Sequence, residues 1–461
     1  MTERLSRRPD QQPAPVRIVH LGLGNFFRAH QAWYTANAPD AAEWGIAAFT
    51  GRRPDAARAL APQDGLYTLI VRQADGDDLQ VIPSVSAVHT ASDHLAYLDY
   101  LRDSDVAIIT MTVTEAGYLR GADGGLDLAN ADVVADVATL QDDVTGAVTT
   151  TPGRLVAGLL ARQAAEAGPI TLLSCDNLPG NGAVVERVVR DLAAEIAPDL
   201  LPWIDENVDF ATSMVDRITP AATDADRETV REQLGVEDAS PVVTEPFSEW
   251  VVSGTFPAGR PRWEDAGVSL VDEVEAYEQR KLLLLNGAHS LMAYAATIVG
   301  HETVVEAMND PRCRGWVEEL WDDAAPNLQV PADDVVAYRA ALTERFENPR
   351  MRDVLSRIAA DGSQKIPVRI VPVVKGERAA GRLPSGAARA LAAWIGHLRG
   401  LGAPVNDVAG ESWQETAAGE LADAVVAVLE RLGIGGDAEL TAAVVDDLTM
   451  LTSGADAKSA H

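Results

Sequence analysis

The residues of this chain that are best suited to chemistry interrupt one apolar stretch in its second half. Lys281, Asn286 and His289 stand among leucines and alanines, and 282–299 is predicted as a buried helix, too interrupted for a membrane span. Burying such groups without partners costs on the order of 1–3 kcal/mol for each neutral one, and a site would offset that cost. Spacing alone slightly favours a plainer interpretation: a snorkelling lysine, a helix kink and a core histidine.

The chemistry open to these three residues is general base catalysis with hydrogen-bond support. A lysine removes a proton near neutral pH only when its pKa falls from ~10.4 toward ~7–8. Burial beside the four leucines at 282–285 acts in that direction. In an α-helix Asn286 and His289 are surface neighbours, and Lys281 lies about 80° from His289. A substrate lying across this face would meet a base and two polar partners.

A glycine turn near the N-terminus indicates a nucleotide site. Gly22 and Gly24 follow the apolar run 16–21 and precede a predicted helix over 25–37, in the order strand, tight turn, helix. Gly22 permits the turn, and Gly24 lets the backbone approach a pyrophosphate. Phe27 replaces the third glycine of the dinucleotide fingerprint, which weakens the match without removing phosphate binding.

The residues after the second predicted strand leave the choice between NAD and NADP open. The second predicted strand, 44–49, ends without the acidic residue that usually binds the ribose hydroxyls. Arg52 and Arg53 stand near that point, where arginines favour a 2′-phosphate, although solvated loop charges explain them equally well. Asp55 would serve the ribose if the loop folds back.

Strands that alternate with helices predict an α/β fold with a parallel sheet. We expect a disordered tail over 1–15, a dinucleotide-binding domain over 16–271 and a mostly helical substrate and catalytic domain over 272–461. In that last domain only 366–374 looks extended. The other predicted elements are strands at 81–88, 106–113 and 170–173, and helices at 55–60, 94–101 and 154–167.

Charge and composition narrow the class of protein. A formal net charge of −31 over 461 residues argues against nucleic acid or an anionic membrane as a partner. Two cysteines are too few for a disulfide framework, and the eight histidines are scattered without the spacing of a zinc site. The polar N-terminus lacks the apolar core of a signal peptide. We therefore expect a cytoplasmic, metal-independent protein, a monomer or small homo-oligomer, with a small-molecule partner.

Eight short motifs occur in order along the chain. They are GLGNFFRAH at 22–30, TVTEAGY at 112–118, SCDNLPGNG at 174–182, VDRITP at 215–220, EPF at 245–247, GRP at 259–261, KLLLLNGAH at 281–289 and DGSQK at 361–365. Each is weak alone, whereas their order is specific. Over roughly residues 16–400 the chain resembles the mannitol dehydrogenase family, polyol-specific long-chain dehydrogenases that include fructuronate and tagaturonate reductases.

The resemblance implies a Rossmann-like N-terminal domain and a mostly helical C-terminal domain. It also implies an oxidoreductase that interconverts a sugar alcohol and its ketose with a nicotinamide cofactor, for which NAD is expected and NADP is possible. Lys281 falls on the family's catalytic lysine, and Glu278 on a glutamate that relays its proton to water. Asn177 and Asn286 fall on asparagines that hold the reacting oxygen. Positions associated with substrate binding and orientation are Asp216, His289, Arg357 and Asn177. Expected cofactor contacts are Gly22, Gly24, Asn25, Phe26, Phe27, Arg28, Arg52, Thr114 and Glu115.

Several alternatives remain at this stage. A keto-uronate reductase would need a cation in its pocket, for which Arg357 and Lys365 are candidates, but the acidic balance of the chain weakly favours a neutral polyol. Ala360 stands where another polar contact would be expected, which leaves the substrate open. A short-chain dehydrogenase, with Tyr277 and Lys281 in Tyr-x-x-x-Lys spacing, has the wrong chain length and glycine turn. A zinc-dependent polyol dehydrogenase lacks a ligand cluster, and the retained lysine and asparagines argue against a non-catalytic nucleotide-sensing protein.

Overall fold

The computed structural model of the protein describes residues 3–456. The chain forms two compact units that divide between Glu275 and Ala276. The sequence-based boundary at Val271 and the structural division are therefore close in sequence. Every helix in the described part of the chain falls short of the length and apolarity that a membrane crossing requires.

The first unit contains the strands of the described residues. They are β1 (Glu3–Arg4), β2 (Val16–Leu21), β3 (Gly45–Phe49), β4 (Tyr67–Arg72), β5 (Asp77–Ile82), β6 (Val85–His89), β7 (Ile108–Met111), β8 (Ile170–Ser174), β9 (Val208–Asp216), β10 (Val236–Glu237), β11 (Val242–Thr244), β12 (Glu249–Ser253) and β13 (Ser269–Leu270).

Helices surround the sheet in the first unit and make up most of the second. In the first unit they are α1 (Asn25–Ala29), α2 (Gln31–Asn37), α3 (Asp55–Leu60), α4 (His94–Leu101), α5 (Ala131–Asp142), α6 (Thr151–Ala164), α7 (Asn181–Ile196), α8 (Leu200–Asn207) and α9 (Asp224–Leu234). Short 3-10 turns occupy Ala41–Glu43, Ala61–Gln63, Glu115–Tyr118 and Trp263–Ala266.

The second unit follows with helices from Glu275 onward. These are α10 (Glu275–Arg280), α11 (Gly287–Leu291), α12 (Val304–Asn309), α13 (Pro311–Ala324), α14 (Ala332–Phe346), α15 (Leu355–Ile358), α16 (Gly362–Arg369), α17 (Val371–Ala379), α18 (Ser385–Leu398), α19 (Gly410–Thr416), α20 (Leu421–Arg431) and α21 (Ala438–Asp456). Lys281–Asn286 and Met292–Ala296 are π-helical, and Ala325–Asn327 is a 3-10 turn. The buried helix α18 packs against α13 and α21.

The main sheet has eight strands in the order β13-β12-β9-β8-β7-β2-β3-β6. Six consecutive strands, from β6 at one edge to β9, are parallel, and β12 joins β9 in the antiparallel sense. Numbered among themselves, those six strands have the order 3-2-1-4-5-6 of a Rossmann sheet. The predicted α/β fold class with a mostly helical second part is therefore confirmed.

Two hydrophobic cores cover the two faces of this sheet. Ile18 belongs to one core and its neighbour Val19 to the other, and Ile108 and Ile109 divide in the same way. Successive side chains of a strand point to opposite faces, so a continuous apolar run is what a doubly covered sheet requires. This is why the buried strands were recognisable in the sequence.

The prediction of a disordered tail over 1–15 is wrong for residues 3–15, and residues 1 and 2 lie outside the described part of the chain. Strand β1 pairs in parallel with β10, and Leu5, which is buried, donates its N–H to the carbonyl of Glu237 at 2.9 Å. The guanidinium of Arg7 donates to the carbonyls of Pro83 at 2.7 Å and Val85 at 3.0 Å. A polar segment is held here by strand pairing and by backbone acceptors distant in sequence, which its own composition does not reveal.

The extended segment predicted at 366–374 is also wrong, because these residues belong to α16 and α17. Ile366, Ile370 and Val374 are buried at a spacing of four residues, which is a helical repeat. Their β-branched side chains favoured a strand in the sequence, but packing of one helical face overrides that preference. Because the segment was predicted as a strand, the position of Arg369 at the end of a helix was not predicted.

Candidate active site

The glycine turn lies where the strand order of the sheet reverses, since β2 is flanked by β3 and β7. Gly22 has φ +109°, and a Cβ there would lie 2.1 Å from the carbonyl oxygen of Thr112, so only glycine fits. A Cβ on Gly24 would meet only the carbonyl oxygen of Gly22, at 3.5 Å. Gly22 therefore serves close packing, and the backbone at Gly24 is open to approach.

Phe27, which replaces the third fingerprint glycine, packs on a strand residue. Its ring is stacked on that of His20, with centroids 3.5 Å apart and planes 9° apart. Burial lowers the pKa of His20 to about 3, so the stacked imidazole is neutral. Phe26 stacks on His30 with centroids 5.0 Å apart. A flat pair of rings thus makes the helix–strand contact that a glycine usually allows.

A buried carboxylate ties the ends of β7 and β8 together. Asp176 accepts hydrogen bonds from the backbone N–H groups of Val113 at 3.1 Å and Thr114 at 2.8 Å, and from the Tyr118 hydroxyl at 2.7 Å. Burial raises the pKa of Asp176, and these three bonds oppose the rise. Thr114 has φ +70° and ψ 159°, which is strained for a β-branched residue. The network holds the loop after β7 in that strained conformation.

The substrate residues expected in the first unit lie at strand ends. Asn177 is exposed and follows Asp176 directly after β8, and Asp216 is the buried last residue of β9. Strands β7, β8 and β9 are parallel neighbours, so their carboxyl ends share one edge of the sheet. Open α/β sheets bind ligands at that edge. The structure therefore brings the Thr114 loop, Asn177 and Asp216 to the same edge.

Three charged residues predicted to contact the cofactor have different surroundings. Arg28 is buried, and its guanidinium donates to the Ser240 carbonyl at 2.6 Å and to the Asn25 side chain at 2.7 Å. Glu115 forms a largely exposed ion pair. Arg52 is exposed in the loop after β3. The hydrogen bond between Arg28 and Asn25 stabilises the fold. Contacts of Asn25, Arg28, Arg52 and Glu115 with the cofactor remain predictions.

The Lys281 stretch is helical as predicted, but its hydrogen bonds are not those of an α-helix throughout. Lys281–Asn286 forms a π turn, and the N–H of Gly287 donates to the carbonyl of Leu282, five residues earlier. In an α-helix Lys281 and Asn286 would be about 140° apart around the axis. With i→i+5 bonds, positions five apart are about one turn apart and share a side of the helix. Such π turns are frequent at functional sites.

Side chains from other helices hold this segment in place. The indole N–H of Trp321 donates to the carbonyl of Leu284, inside the π turn, at 3.0 Å. Lys281 is buried, with 9% of its surface exposed. His289 is half-buried, and its ring centroid lies 5.0 Å from that of Phe346. Lys281 is therefore desolvated, which is the environment that a lysine general base needs.

Arg280, the residue directly before Lys281, is buried and held by neighbouring side chains. Its guanidinium pairs with Asp334 and lies 4.1 Å from the ring centroid of Tyr338 and 5.1 Å from that of Tyr277. Tyr277, the acid–base group of the short-chain alternative, thus packs against a cation. Glu278 is half-buried in α10, one turn before the lysine.

Arg369 is a candidate that the sequence prediction missed. It ends α16, which packs against the π turn and α11. Its Nη1 donates to the backbone carbonyl of Asn286 at 3.4 Å and lies 3.1 Å from the Ser290 hydroxyl oxygen. Arg369 is half-buried, and burial lowers its pKa. The helical repeat around it was the signal that could have placed it beside Asn286.

The two cations predicted for a uronate have partners of their own. Arg357 has 77% of its side chain exposed and pairs with Asp353 at 3.0 Å. The ammonium of Lys365 donates to the carbonyls of Ile358 at 3.1 Å and Ala360 at 2.5 Å, and burial lowers its pKa. In this structure Lys365 therefore closes the end of α15. Substrate contacts of both residues remain predictions.

One group of potential metal ligands occurs among the residues that the structure describes. Ligand atoms of His301, Asp310 and Cys313 lie within 4.8 Å of one another. Asp310 caps α13 by accepting from the N–H of Arg312 at 2.9 Å, and also binds that guanidinium and His301. The Arg312 bond comes first among those that hold the pKa of Asp310 well below its usual range. The carboxylate is thus already engaged in a cap and an ion pair.

Two family models together cover most of the chain. Residues 16–265 match the mannitol dehydrogenase Rossmann domain, and residues 273–452 match the mannitol dehydrogenase C-terminal domain. The chain belongs to the mannitol dehydrogenase family. The resemblance predicted from the ordered motifs is confirmed.

Curated relatives and a solved structure agree with this assignment. The chain is 37% identical over 403 residues to mannitol 2-dehydrogenase of Cereibacter sphaeroides, covering 85% of this chain and 82% of the relative. It is 36% identical over 395 residues to D-mannonate oxidoreductase of Escherichia coli (strain K12), covering 84% and 80%. Mannitol 2-dehydrogenase of Pseudomonas fluorescens, solved as a ternary complex with NAD and D-mannitol, is 32% identical with a TM-score of 0.74, covering 98% of this chain and 96% of that one. Members of the mannitol dehydrogenase family thus include enzymes named for a neutral polyol and for a sugar acid.

Proposed function

We propose that the protein interconverts a sugar alcohol and its ketose by hydride transfer with a nicotinamide cofactor. The observation that supports the proposal most directly is the π turn at Lys281–Asn286, which begins at a buried lysine and ends at an asparagine about one helical turn away, in a mannitol dehydrogenase family member. Oxidation of a secondary alcohol needs a base for the hydroxyl and donors for the developing oxyanion.

The first unit fits a dinucleotide. Its sheet has the Rossmann strand order, Gly24 leaves backbone open beside the turn, and Gly22 fixes the turn against Thr112. The bound nicotinamide would accept the hydride. NAD is the primary expectation, supported by the relative that was solved with NAD. NADP stays a second candidate, because Arg52 follows β3 where an acidic residue is usual.

In the proposed reaction, Lys281 removes the hydroxyl proton of the alcohol as it becomes a carbonyl, and a bound nicotinamide would supply the hydride acceptor. Glu278 passes the proton from Lys281 to water. Asn177 and Asn286 donate hydrogen bonds to the reacting oxygen without titrating. Asp216, His289 and Arg357 orient the substrate. In this scheme Lys281 supplies the base function, so the proposal includes metal-independent chemistry.

The wider proposal is a cytoplasmic enzyme with a small-molecule substrate, as a monomer or small homo-oligomer, without a nucleic-acid or membrane partner. The formal net charge of −31 supports the part of this that concerns nucleic acid and anionic membranes.

The test is a panel of ketoses and keto-uronates, namely fructose, xylulose, fructuronate and tagaturonate, each with NADH and with NADPH. Consumption of reduced cofactor, measured by absorbance, is expected for at least one pair and should survive treatment with a chelator. No consumption with any pair would favour a nucleotide-sensing protein. Loss of turnover with a chelator and its return with zinc would remove metal independence from the proposal.

A further inference from the structure

Arg369 differs from three other buried or half-buried arginines of the second unit, each of which pairs with a carboxylate. Arg280 pairs with Asp334, Arg378 with Asp437 at 2.7 Å and Arg389 with Asp447 at 3.2 Å. Among residues 3–453, whose side chains the structure describes, no carboxylate lies within ion-pair distance of Arg369. A cation withdrawn from water is costly unless it meets an anion or several acceptors.

The partners of Arg369 leave one edge of its guanidinium unused. Nη1 alone makes the contacts to the Asn286 carbonyl and the Ser290 hydroxyl. Within the described part of the chain, Nε and Nη2 have no hydrogen-bond partner, and the side chain retains some exposure. The Nε–Nη2 edge of an arginine is the planar fork that binds a carboxylate through two parallel hydrogen bonds.

The position of this cation matters as much as its free edge. The contact to Asn286 places the guanidinium beside the π turn, whose asparagine is proposed to hold the reacting oxygen. A six-carbon substrate that places its carbonyl oxygen at Asn286 would keep its terminal carbon only a few bonds away. Arg357 and Lys365 do not offer an equivalent, because one has a carboxylate partner and the other donates to two carbonyls.

We propose that Arg369 is a specificity residue that binds a substrate carboxylate, so that the preferred pair is a polyhydroxy acid and its keto-acid. This inference rests on the proposed function and narrows its substrate class from polyols in general to polyols with a terminal carboxylate. The acidic balance of the chain had weakly favoured a neutral substrate. The guanidinium of Arg369, with its Nε–Nη2 edge unused, outweighs the net negative charge of the chain. Salt in solution screens interactions between surface charges that are more than about 10 Å apart.

The experiment compares fructuronate with fructose, which has the same ketose skeleton without the carboxylate. Wild-type kcat/KM with reduced cofactor should be at least ~10²-fold higher for the keto-uronate, since loss of one partner of a desolvated charge pair has effects of that order. In Arg369→Gln, kcat/KM for fructuronate should fall by ~10²-fold or more, mainly through KM. For fructose it should change by less than ~3-fold. Arg369→Lys should recover part of the loss.

Arg399→Gln is the matched control. Arg399 belongs to the same unit and likewise has no ion-pair partner among the residues whose side chains are described; it donates to the backbone carbonyls of Ala417 and Gly419. Its replacement should leave the preference for fructuronate unchanged. Thermal melting of each variant separates misfolding from a change in specificity. A similar loss for fructose and fructuronate in folded Arg369→Gln, or a wild-type preference for fructose, would overturn the inference.

Failure of the proposed function has a different signature. If neither compound consumes reduced cofactor, hydride transfer is not the activity, and calorimetric binding then decides the inference on its own. Binding of fructuronate but not fructose, lost in Arg369→Gln, would support a carboxylate site. Equal binding, or none for either compound, would overturn it.

Discussion

The two units position their polar residues in different ways. In the first unit, the Thr114 loop, Asn177 and Asp216 share an edge because parallel strands end there, and Asp176 locks the edge with three hydrogen bonds. In the second unit, the change from α-helical to π-helical hydrogen bonding over Lys281–Asn286 determines where the polar residues lie around the helix. A strand-end site therefore depends on close backbone packing, whereas a π-turn site depends on side chains from neighbouring helices.

The largest effect on stability is expected at the tightest backbone contact of the first unit. Gly22→Ala would place a Cβ 2.1 Å from the Thr112 carbonyl at a φ of +109°. We expect a loss of about 3 kcal/mol or more of unfolding free energy, because backbone cannot move aside cheaply. Denaturant unfolding measures the loss, and calorimetry with NAD should show that binding is lost too. A native-like midpoint would contradict the proposed dependence on close packing.

A smaller effect is expected from loosening the Asp176 network. Tyr118→Phe removes the hydroxyl that bonds Asp176 at 2.7 Å and contacts Ser174 at the same distance. We expect a loss of about 1–2 kcal/mol at neutral pH. Tyr97→Phe is the control, because the buried Tyr97 hydroxyl has no hydrogen-bond partner among the described residues. Its removal should be neutral or stabilising.

The pH dependence of Tyr118→Phe follows from the same network. Burial already raises the pKa of Asp176, and loss of the Tyr118 bond raises it further. A carboxyl whose folded pKa is raised contributes stability at low pH that is lost as pH rises through that pKa. The stability deficit of the variant should therefore grow as pH rises through the raised folded pKa of Asp176 and stay constant above it. A deficit that shrinks as pH rises would contradict this account of Asp176.

In the second unit, a half-buried carboxylate between helices offers a comparable test away from the proposed site. Burial raises the pKa of Asp323 to about 6, although it accepts the N–H of Ala387 at 3.0 Å at the start of α18. Its contribution to stability is present below the unfolded pKa and lost as pH rises through about 6. Asp323→Asn should therefore be more stable than wild type at about pH 8, by about 1 kcal/mol after allowance for solvent screening. Melting temperatures across pH measure this, and an advantage confined to acid pH would refute it.

The smallest effect is expected at the glycine that follows the π turn. A Cβ on Gly287 would lie 3.7 Å from Leu320 Cδ2 and 3.9 Å from the Arg369 carbonyl, which are ordinary contacts. Gly287→Ala should change stability by less than about 1 kcal/mol, with a gain from helix propensity. Denaturant unfolding beside Gly22→Ala gives the comparison directly. A loss as large as that of Gly22→Ala would show that the second unit also depends on close backbone packing.

The sequence predicted the first unit better than the second for a physical reason. Runs such as 106–113 are apolar on both faces, a pattern that a doubly covered strand requires and few other structures tolerate. The π turn leaves no such trace, because the apolar run 282–299 would be buried at either helical pitch. The helical period through Ile366 and Ile370 was present but masked by β-branched residues, so Arg369 was missed.

Sequence motifs assign the chain to a family but do not show which partners the site residues bind in the fold. Ordered motifs placed the chain in its family, yet they did not reveal that Arg28 binds Ser240, nor that Lys365 closes α15. Those partners are distant in sequence or belong to the backbone, and only the fold brings them together. Residue roles carried over from the family therefore remain predictions until variants are measured.

The most direct measurement of the central claim is chemical rescue of Lys281→Ala. With the substrate pair that wild type uses best, we expect kcat for alcohol oxidation to fall by about 10²–10⁴-fold. Small primary amines added to the solution should restore part of it in proportion to their basicity, with NAD binding unchanged. Activity within a few fold of wild type in Lys281→Ala, without added amine, would contradict the assignment of Lys281 as the general base.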